Sequence, residues 1–493
     1  MPQKDYPRNP SLVHFKHQAK DLLKSCHAGD LESARRIAEF HPGLAGKSRN
    51  PDSITQLQLS DAQLVIAREY GFATWEKLRT CTLNIAQFGR DAERGKKPGS
   101  LPDTFLRLIC LNYTDDHISR RQEGQQLFLD HPEIRSSDIF VAAATGDLAN
   151  AQRLLQGNPQ LAKTKGGPLD WDPLLYATYA RFSASWSRPV ETVRLLLDHG
   201  ADPNAGFLWD KSMCLFTALT GVFGEGEAGP TNQPRHPHEE ALARLLLIAG
   251  ADPNDSQVLY NRMFTKGSSH LRLLFEFGLR RAMKGPWHER LGGKVPTPAE
   301  LLRQQLFWAA EHNHPDRVEL LVQHGVDLNA ITPAGKTAAE IAILNGYPAI
   351  ADFLFAHGAM KDALSPKDAF IAACNEGSEG KARALLTRHP SLLEDIQSRQ
   401  ISLLISAAGD NRLDAVRLML DLGFPVSGLG RNTALHEAAW FGHLEMVELL
   451  ISRGADTSIQ DREHHARPVD WALYNNQPEI VHFLEKVEGD RRH

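Results

Sequence analysis

Apolar side chains along most of this chain come in paired short bursts of helical spacing, each pair closed by a glycine and a polar turn. The clearest case, Gly430–Ser458, reads GRNTALHEAAWFGHLEMVELLISRGADTS. Here Ala438 and Ala439 make one burst thin, so that a neighbouring helix can come close, while leucine-rich bursts such as Leu195–Leu197 fill the space between pairs. Gly442 and Gly454 suit the left-handed conformation after a helix, and tails such as Asp-Pro-Asn supply the turn. One such pair buries too little apolar surface to stand alone, so the pattern predicts a stack in which neighbours complete each other's core.

The same order recurs in Asp172–Asn204 (ending LLLDHGADPN), Cys214–Asn254 (ending LLLIAGADPN) and Leu306–Asn329, and again over Gly335–Asp362, Asp368–Asp395, Ser402–Ser427 and Arg467–Lys486. Gly325, Gly358, Gly423 and Gly454 close successive second helices at intervals of 33, 65 and 31 residues, the middle interval holding two repeats. With Ser137–Lys163 and Ser256–Arg281, roughly ten units cover residues 137–487. The period and the residues Thr433, Leu435, His436, Ala438, Ala439, Gly442, His443, Gly454, Ala455 and Asp456 resemble the ankyrin repeat. The resemblance implies an all-α ankyrin-repeat solenoid of stacked antiparallel helix pairs with hairpin-like connecting turns. It also implies a structural, hydrogen-bonding role for His436.

Residues 1–88 carry a divergent form of the same grammar, with helix pairs in Gln18–Leu44 and Asp61–Arg79, and are expected to form an N-terminal cap similar to the opening of bacterial ankyrin-repeat proteins. Residues 89–100 read as a polar, Gly-containing linker on which the cap can hinge, 101–487 as the array, and 488–493 as a polar tail. Three insertions break the period: Arg181–Pro189, Gly224–His238 and Lys284–Ala299. They are expected to project from the stack as loops.

Charge and composition narrow the function. A net charge of -5 gives no positive field for nucleic acid or anionic lipid. No apolar run approaches the roughly 20 residues of a membrane span, and the first residues lack the apolar core of a secretory signal. The five cysteines are scattered, without CxxC spacing, and read as thiols of a reducing compartment, which places the chain in the cytoplasm.

Candidate chemistry mostly dissolves into the repeat. Gly335, Lys336 and Thr337 end a relaxed phosphate-loop pattern, but a repeat turn precedes them where a strand is required. Many of the 22 histidines sit beside helix-ending glycines, as His199, His324 and His357 do, where a partly positive ring suits the helix carboxyl end. His236 and His238, near Glu239, are the one place where two imidazoles and an acid suggest a metal, whereas His464 and His465 lack a third ligand. No nucleophile sits in a recognisable elbow, Asp115 and Asp116 fall on different helix faces, and the Arg90–Lys97 charges read as solvated surface. No catalytic residue, cofactor, metal or small-molecule substrate is inferred.

Large aromatics at the variable positions of first helices remain: Tyr176, Tyr179, Trp308, Trp440, Trp471 and Tyr474. Such residues dominate binding energy at interfaces. The expectation is a non-catalytic scaffold that holds a protein partner along its groove and hairpin tips. The alternatives are an exported effector using the same array on a host protein, and a metal-dependent enzyme sited in the 224–240 insertion.

Overall fold

His436 explains how the clearest repeat begins. Its Nδ1 accepts the Thr433 backbone N–H at 3.3 Å and lies 2.8 Å from the Thr433 hydroxyl, which closes the free start of helix Ala434–Phe441. Gly442, at φ 75°, ends that helix in the left-handed conformation, and the chain reverses into helix Leu444–Ser452, which buries Met446, Val447, Leu449 and Leu450. Helix Ala434–Phe441 packs between the first helices of the adjacent pairs, Gln397–Gly409 and Pro468–Tyr474. Its Ala438 and Ala439 are fully buried, as close helix approach requires.

The computed structural model describes residues 4–7, 9–43, 57–90, 99–210, 212–280, 285–292 and 294–490. Two compact units divide it, Met1–Leu302 and Arg303–His493. Most of the expected linker (91–98), with most of the Arg90–Lys97 charges, and residues 491–493 of the tail lie outside the described residues.

In the second unit, Gln397–Gly409 packs on Ala434–Phe441 first helix to first, Leu444–Ser452 on Pro478–Asp490 second to second, and Pro366–Glu376 on the second helix Leu413–Asp421. One apolar core runs without interruption from Phe370 to Leu484. The first unit repeats the scheme: helix Pro173–Tyr179 packs between Ile139–Thr145 and Ala218–Phe223. Among its described residues the one sheet is a short antiparallel hairpin, β1 (Gly206–Trp209) and β2 (Cys214–Thr217), with Phe207 opposite Phe216. Apart from this ribbon the described residues of each unit have the expected all-α helix pairs.

The cap packs against the rest of its unit. Its four described helices (Leu12–His27, Leu31–Phe40, Leu59–Glu69, Trp75–Phe88) share a single core with Leu208 and Leu215 of the hairpin and with Trp287 and Leu291. Buried Glu69 draws the cap together by pairing with Lys4 at 2.7 Å and Arg36 at 2.6 Å. Gly89 and Arg90 continue into the array, with the Arg90 N–H donating to Leu208 O at 2.7 Å. A hinge at residue 89 would have to break that core, so the cap is docked on the rest of its unit.

The insertions also turn inward. In Gly224–His238, Glu225, Gln233 and His236 are buried. Arg181 holds this segment by donating to Pro234 O (2.8 Å) and Gly221 O (2.7 Å). Glu225 pairs with Arg235 and with fully buried Arg262, which also bonds Glu239 at 2.7 Å. Buried charge is stable only when paired in this way. In Arg181–Pro189, the Arg188 N–H donates to Gly146 O and the Ser187 hydroxyl to Thr145 O, both at 2.7 Å. In the third insertion, Trp287 is buried and donates its Nε1–H to Asn204 O at 2.9 Å.

Candidate functional site: an aromatic surface on the second unit

The repeat places the last two first helices, Ala434–Phe441 and Pro468–Tyr474, side by side, and their variable positions meet. Trp440 and Trp471 lie edge to face with centroids 5.6 Å apart, and Tyr474 stacks on Trp440 at 5.9 Å and 20°. Trp440 and Trp471 are half-buried, whereas Tyr474 is 77% exposed. Leu473, 69% exposed, and Phe441, 52% exposed, enlarge the apolar surface beyond the residues the sequence singled out.

Two hydrogen-bond systems fix this surface from below. Asp461 accepts four protein donors: the backbone N–H groups of Glu463, His464 and Ala466, and Trp471 Nε1–H at 3.0 Å. Its carboxyl is held far below the usual range, the cost of burial being outweighed by those donors. The second system is His436, whose Nε2 lies 3.0 Å from Ala466 O. A carbonyl cannot donate, so the proton is assigned to Nε2, and Nδ1 is the acceptor that caps the helix. Asn475 Nδ2 and Gln477 Nε2 both donate to Trp440 O, tying the two pairs together.

The other predicted site residues lie elsewhere. Tyr176 and Tyr179 are fully buried in the first unit. The Tyr176 hydroxyl donates to Gly166 O at 2.9 Å and that of Tyr179 to Thr217 O at 2.8 Å, and Trp171 packs on both rings. The reading of these two as partner-facing is therefore corrected: they are core. Trp308 is half-buried and stacks on His312 at 3.8 Å, separate from the Trp440 group. The structure thus brings together Trp440, Trp471 and Tyr474 of the original six.

The decoys find structural employment. Lys336 pairs with Asp368 at 2.8 Å, and Thr337 caps helix Ala338–Leu344 by accepting from Glu340 N at 3.2 Å. His199 and His357 bond the Leu195 and Phe353 carbonyls at 2.8 Å, one turn back. His236 spends its Nδ1 on the His238 N–H, and Glu239 is engaged by Arg262.

Burial lowers the pKa of both His436 and His236, the latter with help from Arg181, so both rings are neutral in the fold. As pH falls through about 6.5 the unfolded chain takes up these protons before the folded one does. The stability they contribute is complete above that pH and declines below it. Urea midpoints recorded from about pH 7.5 to 5 should therefore fall, and His436→Gln should flatten the decline in the second unit. An unchanged slope in the variant would remove His436 from the account.

Two family descriptions match the second unit: "Ankyrin repeats (3 copies)" over residues 369–461 and "Ankyrin repeats (many copies)" over residues 306–355. Among curated relatives, the chain is similar to the Caenorhabditis elegans Ankyrin repeat and KH domain-containing protein mask-1, with 29% identity over 211 residues. That match covers 41% of this chain and 8% of the relative. It is similar to the rice Probable E3 ubiquitin-protein ligase XBOS33, 31% identical over 172 residues, or 32% of each chain. It is also similar to human Palmitoyltransferase ZDHHC13, 46% identical over 66 residues, covering 13% of this chain and 11% of the relative. The chain thus spans between 8% and 32% of the lengths of these relatives.

Proposed function

We propose that this chain, an ankyrin-repeat protein, acts by holding a protein partner on the Trp440–Trp471–Tyr474 surface without altering it chemically. The observation that carries the reading is Tyr474, 77% exposed yet stacked on Trp440, beside Leu473, which is 69% exposed. Large apolar side chains held in fixed rotamers lose little entropy on binding, which is how hot spots concentrate energy. Asp461 and His436 give the surface that rigidity. The non-catalytic part of the reading is supported by the residues that could have done chemistry, since Lys336, His236 and Glu239 are committed to structural bonds.

The two relatives named as a ligase and a transferase match over 32% and 11% of their lengths, and their activities are not carried over. A cytoplasmic setting is supported by five free cysteines, four of them buried. Among the described residues no helix is long and apolar enough to cross a membrane.

Affinity capture tests the proposal with the full chain as bait. A protein retained by the native chain should fall by about tenfold or more with Leu473→Ser plus Tyr474→Ala, a pair chosen because both are exposed. Circular dichroism should not change. Retention at the native level by a correctly folded variant would move the binding surface elsewhere.

A further inference from the structure

A cavity of about 80 Å³ lies in the first unit, far in sequence from the aromatic surface, between the end of the cap, the turn before Trp171 and strand β1. Its walls include Phe88, Arg90, Lys165, Trp171 and Phe207. We propose that this cavity is a binding site for a small monocarboxylate, whose charged head meets Arg90 and Lys165 while its short tail lies on the aromatic rings. This inference is independent of the partner-binding reading.

Three observations carry it. Trp171 is 2% exposed and closes one wall of the cavity with its ring system. Arg90 is 9% exposed and donates one side-chain bond, from Nη1 to Asn112 O at 2.8 Å, which leaves most of its fork without a protein acceptor among the described residues. The acids whose charge reaches it, Asp116 and Asp115, are themselves bonded to Arg120 at 3.2 and 2.9 Å. Lys165 stands at the rim with its Nζ 4.9 Å from the Phe88 ring centre, and the acid its charge reaches, Asp172, accepts the Leu175 N–H.

The donors select an anion, and the walls select its kind. The Arg90 guanidinium lies 5.8 Å from both the Trp171 and the Phe207 ring centres, so bound charge would be screened from water by apolar surface. One acid, Asp170, also lines the cavity and disfavours a dianion such as phosphate. The volume exceeds that of a water site and falls short of the roughly 150 Å³ that accommodates benzene, which suits a carboxylate of a few heavy atoms.

Nuclear magnetic resonance of the indole N–H groups of the full chain, titrated with sodium propionate at constant ionic strength, tests this. The Trp171 signal, identified by its absence in Trp171→Phe, should shift saturably with a Kd below about 1 mM. Lys165→Ala, at an exposed position that does not threaten folding, should weaken binding by about two- to fivefold. No saturable shift up to about 10 mM would overturn the proposal. So would an equal shift with sodium chloride or inorganic phosphate, or an unchanged Kd in Lys165→Ala.

Discussion

Leu450→Ala should lower the stability of the second unit by about 2–5 kcal/mol, the range for emptying a fully buried leucine position. Leu450 is completely shielded from solvent on helix Leu444–Ser452, within the core that joins Phe370 to Leu484. The helices of this pair pack on those of the last pair, Pro468–Tyr474 and Pro478–Asp490. In a stack, a pair is stable chiefly through its neighbours, so the damage should spread outward to the last pair. Urea denaturation would register the loss. Hydrogen exchange should show residues 468–490 opening together with 444–452, and partner capture through Tyr474 should weaken in parallel. A loss under about 1 kcal/mol, or faster exchange confined to the altered helix, would contradict a shared core.

Asp461→Asn should cost about 2–4 kcal/mol although the two side chains have nearly the same shape. The carboxylate accepts four donors, and the amide offers one oxygen and turns an NH2 toward the rest. Trp471 then loses the bond that fixes its ring against Trp440, so its fluorescence and near-ultraviolet dichroism should change even where the fold survives. The depressed carboxyl pKa adds a pH signature. Its contribution is complete above the unfolded value near 4 and is lost as pH falls from there toward the folded one, so the native protein should lose stability more steeply below about pH 4 than the variant, which keeps other depressed carboxyls such as Asp368. Equal acid sensitivity in both would show that Asp461 stabilises little.

What the sequence disclosed about the fold was whatever recurs. Alanine pairs, closing glycines and the Thr433–His436 cap are local features repeated many times, and each copy supports the others. Features resting on one long-range encounter were not legible. Tyr176 and Tyr179 occupy the same kind of position as Trp440, and only the hydroxyl partners Gly166 O and Thr217 O, with Trp171 packed against both rings, put them inside. The Gly224–His238 segment has the composition of a surface loop. What draws it in is the meeting of Glu225 with Arg262, and of Arg181 with Pro234 O, across stretches no periodicity spans. The candidate site was half legible: its aromatic residues stood out, but the exposure of Leu473 and Phe441 and the anchoring by Asp461 follow from where neighbouring turns lie.

The shared interior of the first 88 residues has a practical corollary for anyone wishing to shorten the protein. A truncated form starting at Ser100, the natural place to cut by composition, would present Leu208, Leu215, Trp287 and Leu291 to water as an oily scar. Such a fragment should clump during purification, and its poor behaviour would say nothing about the repeats themselves. The smallest well-behaved piece of this unit therefore keeps Lys4, which pairs with buried Glu69, and Tyr6, which packs on the same core.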